Sequence, residues 1–145
     1  MPRSLKLILN IITYFSLVGG LIFGLPRFLS WSLGTPYPLA AVTSGSMWPV
    51  LDEGDLVFIK GSLHLADLKV GDIIVWRGVD GRGFTIHRIT ELEGEKITTK
   101  GDANFNPDDP ITFEQVVGRA LTWRDKLVHI PYLGSVTVLA SNWKK

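Results

Sequence analysis

The sequence predicts a mainly β protein, built from antiparallel sheets and preceded by one N-terminal transmembrane helix. Two observations carry this prediction. Residues 7–25 form an apolar stretch without a charged side chain. From Leu39 onward, short apolar or alternating runs are separated by turns that combine glycine with acidic residues, which is typical of strands joined by tight turns. No later window has a sustained helical period.

The uncharged stretch has the length of a membrane span. Its residues, about 19 in number, would form a helix of about 28 Å, close to the hydrocarbon thickness of a bilayer. Arg3 and Lys6 precede it and Arg27 follows it, which favours a cytoplasmic N-terminus. A cleavable signal peptide would have a shorter apolar core, and a buried helix of a soluble domain would have a wider polar face. We therefore expect residues 1–25 to be a cytoplasmic tip and a permanent anchor.

The rest of the chain divides into a connection and one domain. Residues 26–38 contain three prolines and are predicted to link the anchor to the domain. Residues 39–145 form the predicted extracytoplasmic β domain. Six segments of it have the pattern of strands, namely 39–43, 55–60, 70–77, 84–92, 96–100 and 116–123. Within residues 127–143 the run Val136-Thr137-Val138 favours a final strand, and a second membrane span is the alternative.

Composition excludes several classes of site. The net charge is +1 and the basic residues are scattered, so no nucleic-acid partner is expected. The chain has no cysteine, which excludes disulfides and thiolate chemistry. The histidines, His64, His87 and His129, lack the spacing of a metalloprotease motif. We expect neither a metal nor another cofactor.

The motif Ser44-Gly45-Ser46 is the first candidate for chemistry. A serine on a turn loosened by glycine can project its hydroxyl as a nucleophile, and a second hydroxyl and nearby N–H groups can stabilise an oxyanion. The same residues also occur in ordinary loops, where the hydroxyls bond to the local backbone. Met47 and Trp48 follow, and we expect both apolar side chains to pack in the core, with a shallow membrane contact as the alternative.

His87 is the best candidate for the base that a serine nucleophile needs. Strand alternation places it on one face with Thr85 and Ile89, and places Arg88 on the other face. A neutral imidazole can accept a proton at physiological pH, whereas an arginine cannot, so Arg88 is expected to serve structure. His64 and His129 are expected to be structural.

An acidic loop follows the next predicted strand. It contains Asp102, Asp108 and Asp109. Such a loop is often simply solvated, and the functional alternative is that one carboxylate accepts a hydrogen bond from the imidazole and fixes its tautomer. Spacing alone does not choose among the three aspartates.

A series of short motifs covers nearly the whole chain after residue 38. They are residues 44–49 (SGSMWP), 53–57 (EGDLV), 70–75 (VGDIIV), 86–89 (IHRI), 100–102 (KGD), 117–119 (VGR) and 130–134 (IPYLG). Their order resembles that of the type I signal peptidases. The histidine in IHRI, where other members have lysine, places the resemblance with the endoplasmic-reticulum and archaeal, Sec11-like, branch.

The resemblance implies a membrane-anchored serine endopeptidase with the antiparallel β-sheet fold of the signal peptidases. It implies that Ser46 is the nucleophile, His87 the base and Asp108 the third member of a triad. Ser44 corresponds to the serine whose hydroxyl helps to form the oxyanion hole, and Asp102 to the supporting aspartate directly after Lys-Gly. One departure lies in this loop, because residue 103 is alanine where the family usually has asparagine.

The resemblance also implies the partners and the location. The substrates would be secretory precursors, cut after small residues at the outer face of a lipid bilayer. Relatives in the endoplasmic reticulum work within a complex, and prokaryotic ones can act alone, so the need for partner subunits stays open. We expect the cell membrane of a prokaryote rather than the endoplasmic reticulum.

Two other functions fit parts of the pattern. One is a serine–lysine protease of the self-cleaving repressor type, with Lys60, Lys96 or Lys100 as base. The N-terminal anchor and the residues around His87 argue against it. The other is a membrane-tethered β binding module in which Ser46 is inert.

Overall fold

The structure is a computed structural model that describes residues 2–61, 64–78 and 83–135. It divides into two units, Met1–Ser32 and Leu33–Lys145. The first unit is almost entirely helical, and the described part of the second consists mainly of short strands. The prediction of an antiparallel β protein behind one apolar helix is confirmed.

Helix α1 spans Arg3–Leu33 and none of its residues is buried. By length and composition it can cross a membrane, with a mean hydropathy of 2.0 over an 18-residue window. It extends farther than predicted, because Pro26 lies inside it and the predicted connection shortens to residues 34–38. A proline removes one helical hydrogen bond, but residues 27–33 contain neither glycine nor proline. Gly34, with a φ of 63°, ends the helix instead.

The β domain is built around one antiparallel sheet with the strand order β1-β2-β7-β3-β4-β5-β6, in which β10 also pairs with β2. Strands β8 and β9 form a separate hairpin. The strands are β1 (Leu39–Ala41), β2 (Leu56–Lys60), β3 (Ile73–Arg77), β4 (Phe84–Glu93), β5 (Lys96–Lys100), β6 (Ile111–Thr112), β7 (Val116–Ala120), β8 (Thr122–Trp123), β9 (Lys126–Leu127) and β10 (His129–Ile130).

Strand β3 lies between two hydrophobic cores. Its successive side chains point to opposite faces: Ile73 and Val75 pack in one core with Met47 and Val57, and Ile74 packs in the other. A strand that is buried on both faces has consecutive apolar residues in its sequence, and residues 73–75 have this pattern. The sheet next to β3 is thereby fixed from both sides, and all five residues of β3 pair with residues 84–88 of β4.

The six predicted strands are present, but several have different ends. Residues 70–72 are not part of β3, because Gly71 turns the chain with a φ of 96°. The predicted strand over residues 116–123 divides into β7 and β8. Strands β6, β9 and β10 were not predicted, since two residues are too few for a detectable period. The predicted strand at Val136-Thr137-Val138 lies outside the described residues.

Candidate active site

Ser46 lies in a short 3₁₀ helix, Gly45–Met47, in the connection between β1 and β2. A 3.1 Å hydrogen bond from the Trp48 N–H to the Gly45 carbonyl closes the turn. Met47 is buried in the core and anchors the turn, and Ser46 is half-buried beside it. The serine hydroxyl is therefore held on a fixed turn at the edge of the core.

This turn differs from expectation at two positions. Gly45 does not adopt a positive φ, and a Cβ added to it would meet nothing within 4 Å, so the turn's own conformation does not require glycine. Trp48 is exposed rather than buried. Consecutive side chains on a tight turn point in different directions, and Met47 is the one that faces the core.

His87 reaches Ser46 from strand β4. It is buried, and it pairs with Ile74 of the central strand β3, which fixes the backbone that carries the imidazole. Its Nε2 lies 3.1 Å from the Ser46 hydroxyl oxygen. The two residues are far apart in sequence, and the sheet brings them within hydrogen-bonding distance.

Asp108 completes the chain of contacts on the other side of the imidazole. Its Oδ2 lies 2.6 Å from His87 Nδ1. The Asp108 N–H donates a 2.8 Å hydrogen bond to the Thr99 carbonyl, and the Thr99 hydroxyl donates a 2.6 Å bond to the same Oδ2. The carboxylate is therefore tied to β5 by main chain and side chain.

These contacts define the tautomer of His87. An ionised carboxylate can only accept, so Nδ1 carries the proton that is shared with Asp108. Nε2 then presents its lone pair to the Ser46 hydroxyl, which donates to it. This is the arrangement in which a histidine can take the proton of a serine.

Ser44 lies next to the Ser46 hydroxyl. The two hydroxyl oxygens are 3.2 Å apart, and Ser44 has an extended backbone at the start of the turn. Its side chain is exposed. Ser44 can therefore donate a hydrogen bond to an oxygen that develops negative charge near Ser46.

Asp102 pairs with Arg88 and not with His87. The Arg88 guanidinium donates to both carboxylate oxygens, from Nε to Oδ1 at 2.8 Å and from Nη2 to Oδ2 at 2.7 Å. Its Nη1 donates to the Gly71 carbonyl. The hydrogen bonds to Asp102 raise the pKa of Arg88, against a smaller lowering by burial. Arg88 therefore binds the acidic loop and the Gly71 carbonyl, and Asp102 contacts Arg88.

The acidic loop is attached directly to the turn that carries Ser46. The Ala103 N–H donates a 2.9 Å hydrogen bond to the Ser46 carbonyl. A Cβ at Gly101 would lie 2.6 Å from that carbonyl oxygen, so glycine is required for this close approach. Lys100 Nζ donates to the Asn104 carbonyl. The loop thus connects the Asp108 end of the site to the Ser46 end.

The other sequence candidates lie elsewhere. Asp109 is exposed. His64 is exposed as well, and the imidazole of His129 lies 3.7 Å from the Asp55 carboxylate. Lys100 donates its hydrogen bond to the Asn104 carbonyl, as described above. No group of three or more histidine, aspartate or glutamate side chains that could hold a metal occurs in the part of the chain that the structure describes.

A cleft of about 310 Å³ opens beside Ser46 and His87. Its lining residues come from β1, the Ser46 turn, β3, β4 and the acidic loop: Ala40, Ala41, Thr43, Ser44, Ser46, Val75, Phe84, Thr85, Ile86, His87 and Asn104. Alanines form part of its wall, so the cleft offers apolar surface next to the hydroxyl. Sequence reasoning did not identify this cleft, because its residues are distant in the chain.

Comparison with known proteins gives a consistent group of relatives. No family model matches the chain. It is similar to proteins named signal peptidase complex catalytic subunit sec11. The one from Sclerotinia sclerotiorum is 34% identical over 146 residues, which cover 90% of this chain and 81% of the relative. The one from Pyrenophora teres f. teres is 33% identical over 162 residues, which cover 99% of this chain and 86% of the relative.

A third relative of the same name, from Neurospora crassa, is 32% identical over 90% of this chain and 81% of its own length. These similarities extend across the helix and the β domain alike, since they cover most of the chain. Together with the apolar helix, these similarities show that the chain is a membrane protein. It belongs to the Sec11-like branch of the type I signal peptidases, the enzymes that remove signal peptides.

Proposed function

We propose that the chain is a serine endopeptidase in which Ser46 is the nucleophile, His87 the general base and Asp108 the residue that orients the base. The observation that carries this proposal is the unbroken series of hydrogen bonds from the Ser46 hydroxyl through the imidazole to the carboxylate. A serine hydroxyl is a weak nucleophile unless a base accepts its proton. Nε2 of His87 is in position to accept it.

The reaction proceeds through an acyl-enzyme. Ser46 Oγ attacks the scissile carbonyl carbon while its proton passes to His87 Nε2, and the carbonyl oxygen becomes an oxyanion. The imidazolium then protonates the leaving amine, and the peptide bond breaks. In the second half a water molecule attacks the acyl-serine ester while His87 accepts its proton, the bond between the acyl carbon and Ser46 Oγ breaks, and His87 returns the proton to Oγ. Asp108 accepts the hydrogen bond from His87 Nδ1 and stabilises the imidazolium in both halves.

Ser44 and nearby backbone N–H groups stabilise the oxyanion. The support for Ser44 is the position of its hydroxyl, 3.2 Å from the Ser46 hydroxyl. A donor in such a position contributes most when negative charge develops in the transition state, and losing one typically costs about 10²- to 10³-fold in rate.

The substrates are secretory precursors that carry small residues before the cleaved bond. The resemblance to the signal peptidases and the cleft beside Ser46 support this specificity. Ala40 and Ala41 contribute to the cleft wall. They lie on β1, which is the end strand of its sheet. An extended precursor segment can pair with such an edge while its small side chains enter the cleft.

Helix α1 anchors the enzyme with its N-terminus in the cytoplasm and the β domain at the opposite membrane face. The positive charges of Arg3 and Lys6 support this orientation. The relatives named above are fungal, which favours the endoplasmic reticulum, and the expectation of a prokaryotic cell membrane stays a prediction. Those relatives are named as subunits of a complex, so we also propose that partner subunits bind this chain.

Cleavage of a precursor with an Ala-x-Ala site by the detergent-solubilised full chain tests the proposal. Ser46→Ala should abolish cleavage without changing the thermal unfolding midpoint, because the half-buried Ser46 hydroxyl contributes little to packing, and Met47 anchors the turn. Ser44→Ala is the matched control, with the same substitution two residues away. It should reduce the rate by about 10²- to 10³-fold.

Retained cleavage by Ser46→Ala would contradict the proposal. A serine–lysine protease would instead lose activity in Lys100→Ala and keep it in His87→Ala. An inert binding module would bind precursor without cleaving it, and a serine-directed acylating reagent would not label Ser46. Labelling of the wild type that is absent in Ser46→Ala is the result expected for a nucleophile.

A further inference from the structure

Thr99 on β5 contacts the carboxylate of Asp108 and has no role in the mechanism described above. We propose that it is a positioning residue that holds Asp108 in register with His87, an inference that rests on the proposed function. Thr99 is 0% exposed. Its hydroxyl donates a 2.6 Å hydrogen bond to Asp108 Oδ2, and its carbonyl accepts a 2.8 Å bond from the Asp108 N–H.

The direction of the Thr99 hydrogen bond follows from the chemistry of its partner. An ionised carboxylate has no proton to donate, so the threonine hydroxyl must be the donor. Such charge-assisted bonds are short and strong. Oδ2 also accepts from His87 Nδ1, so one oxygen lies between the two donors. The threonine thereby fixes the oxygen that orients the base.

A β-bulge puts the Thr99 side chain on the correct face. In the β4–β5 pairing the register shifts between Ile89 and Glu91, and Ile89 is thereby placed opposite Thr99. Residues directly opposite in an antiparallel pair point to the same face, and Ile89 shares its face with His87. Without the extra residue, Thr99 would lie opposite Thr90 and point to the other face.

Loss of the hydroxyl has a specific consequence. Thr99 and His87 supply the side-chain hydrogen bonds to Asp108 among the described residues. Without the Thr99 bond the carboxylate can rotate, and the imidazole is less often oriented toward Ser46. Thr99 does not line the cleft beside Ser46. We therefore expect kcat to fall while KM stays near the wild-type value.

The test compares Thr99→Ser with Thr99→Ala in the full chain. Both variants remove the same methyl group, and they differ by the hydroxyl alone. Thr99→Ser should retain most of the wild-type kcat, and Thr99→Ala should lose about 10- to 100-fold, which corresponds to one hydrogen bond to a charged group. Thr98→Ala is the control, since it makes the same kind of change one residue away on the opposite face.

A proton NMR spectrum gives a readout that a merely structural role would not move. The His87 Nδ1 proton should resonate far downfield in the wild type and in Thr99→Ser, and the resonance should shift upfield or disappear in Thr99→Ala. If Thr99→Ala does not fold, the isosteric Thr99→Val replaces it in both measurements. Equal kcat and equal spectra for the serine and alanine variants would overturn the inference.

Ser46→Ala is measured beside these variants so that the two proposals can fail separately. If Ser46→Ala is inactive and Thr99→Ala cleaves at the wild-type rate with an unchanged Nδ1 resonance, the positioning role is overturned and the proposed function stands. If Ser46→Ala still cleaves, the proposed function fails. The spectra of Thr99→Ser and Thr99→Ala then still decide whether Thr99 holds Asp108 against His87.

Discussion

Two consecutive residues on β4 each pair with an aspartate of the same loop, and the two pairs have different uses. His87 contacts Asp108 through Nδ1 at 2.6 Å, and Arg88 contacts both oxygens of Asp102. Burial does not separate them. The side chains are 10% and 20% exposed in the histidine pair and 31% and 15% exposed in the arginine pair.

The difference lies in whether the basic side chain of each pair can exchange a proton. Arginine stays protonated and has no acceptor, so its two-pronged contact with Asp102 is a fixed clamp. Histidine has two ring nitrogens that can each donate or accept a hydrogen bond, and the contact of His87 with Asp108 through Nδ1 leaves Nε2 available to Ser46. Two contacts of similar burial therefore have different roles, because the Arg88 pair holds the loop and the His87 pair orients the proposed base.

Among substitutions in these two pairs, Asp108→Asn should cause the largest loss of cleavage rate. An asparagine amide that donates to Nδ1 would move the imidazole proton to Nε2, which would then face Ser46 as a donor instead of an acceptor. The loss of cleavage rate should approach about 10⁴-fold, as for other triads with this substitution. Steady-state cleavage of a precursor measures it, and circular dichroism confirms that the β domain remains folded.

Asp108→Ala is the control that separates the effect of the His87 tautomer from the effect of the lost carboxylate charge. It cannot donate to Nδ1, so it should retain more activity than Asp108→Asn if the wrong tautomer causes the loss. A rate for Asp108→Asn within tenfold of the wild type would mean that the carboxylate does not orient His87. In that case the distinction between the two pairs would have no catalytic meaning.

The two ends of this site differ in how far the sequence determined them. Ser46 and His87 were predicted as nucleophile and base, because each lies in a local motif with a recognisable chemistry. The choice among the three aspartates depended on the resemblance to a family, since spacing alone left it open. The structure places Asp108 against the imidazole and Asp102 against Arg88, and the role of each aspartate stays a prediction.

Other features depend on long-range register and could not be predicted from local patterns. The bulge in β4 determines whether Thr99 lies on the same face of the sheet as His87, and no local pattern in residues 89–91 predicts a bulge. The Arg88–Asp102 pair likewise requires the β4–β5 register. The continuation of α1 through Pro26 could not be predicted either, because a proline usually ends or kinks a helix, and only the absence of glycine and of a second proline from residues 27–33 is compatible with it.

Asp102→Asn should have an intermediate effect. An asparagine offers one oxygen to the Arg88 guanidinium in place of two, so the bidentate contact is lost and the loop loosens. We expect the free energy of unfolding to fall by about 1 to 3 kcal/mol. Cleavage should fall by about 10- to 100-fold, because the loop touches the Ser46 carbonyl through Ala103 and small displacements of a site are costly. Thermal unfolding and precursor cleavage measure the two effects.

A double-mutant cycle with Arg88→Gln shows whether this clamp acts as a unit. If it does, the double variant should be little worse than the more damaging single variant, because each substitution alone breaks the same contact. Additive losses would mean that Asp102 and Arg88 act through separate contacts. The contrast with His87–Asp108 would then rest on the histidine pair alone.

Asp109→Asn should have the smallest effect, although Asp109 is the neighbour of Asp108 and carries the same side chain. The Asp108 N–H is held by the Thr99 carbonyl, and Pro110 favours an extended backbone at Asp109, which is exposed. Exposed substitutions usually change the free energy of unfolding by less than about 0.5 kcal/mol, and cleavage should stay within about twofold of the wild type. Thermal unfolding and precursor cleavage, measured side by side for Asp108→Asn and Asp109→Asn, test both expectations. If Asp109→Asn proved the more damaging of the two, the loop register would be displaced by one residue, and the carboxylate that orients His87 would have to be reassigned to Asp109.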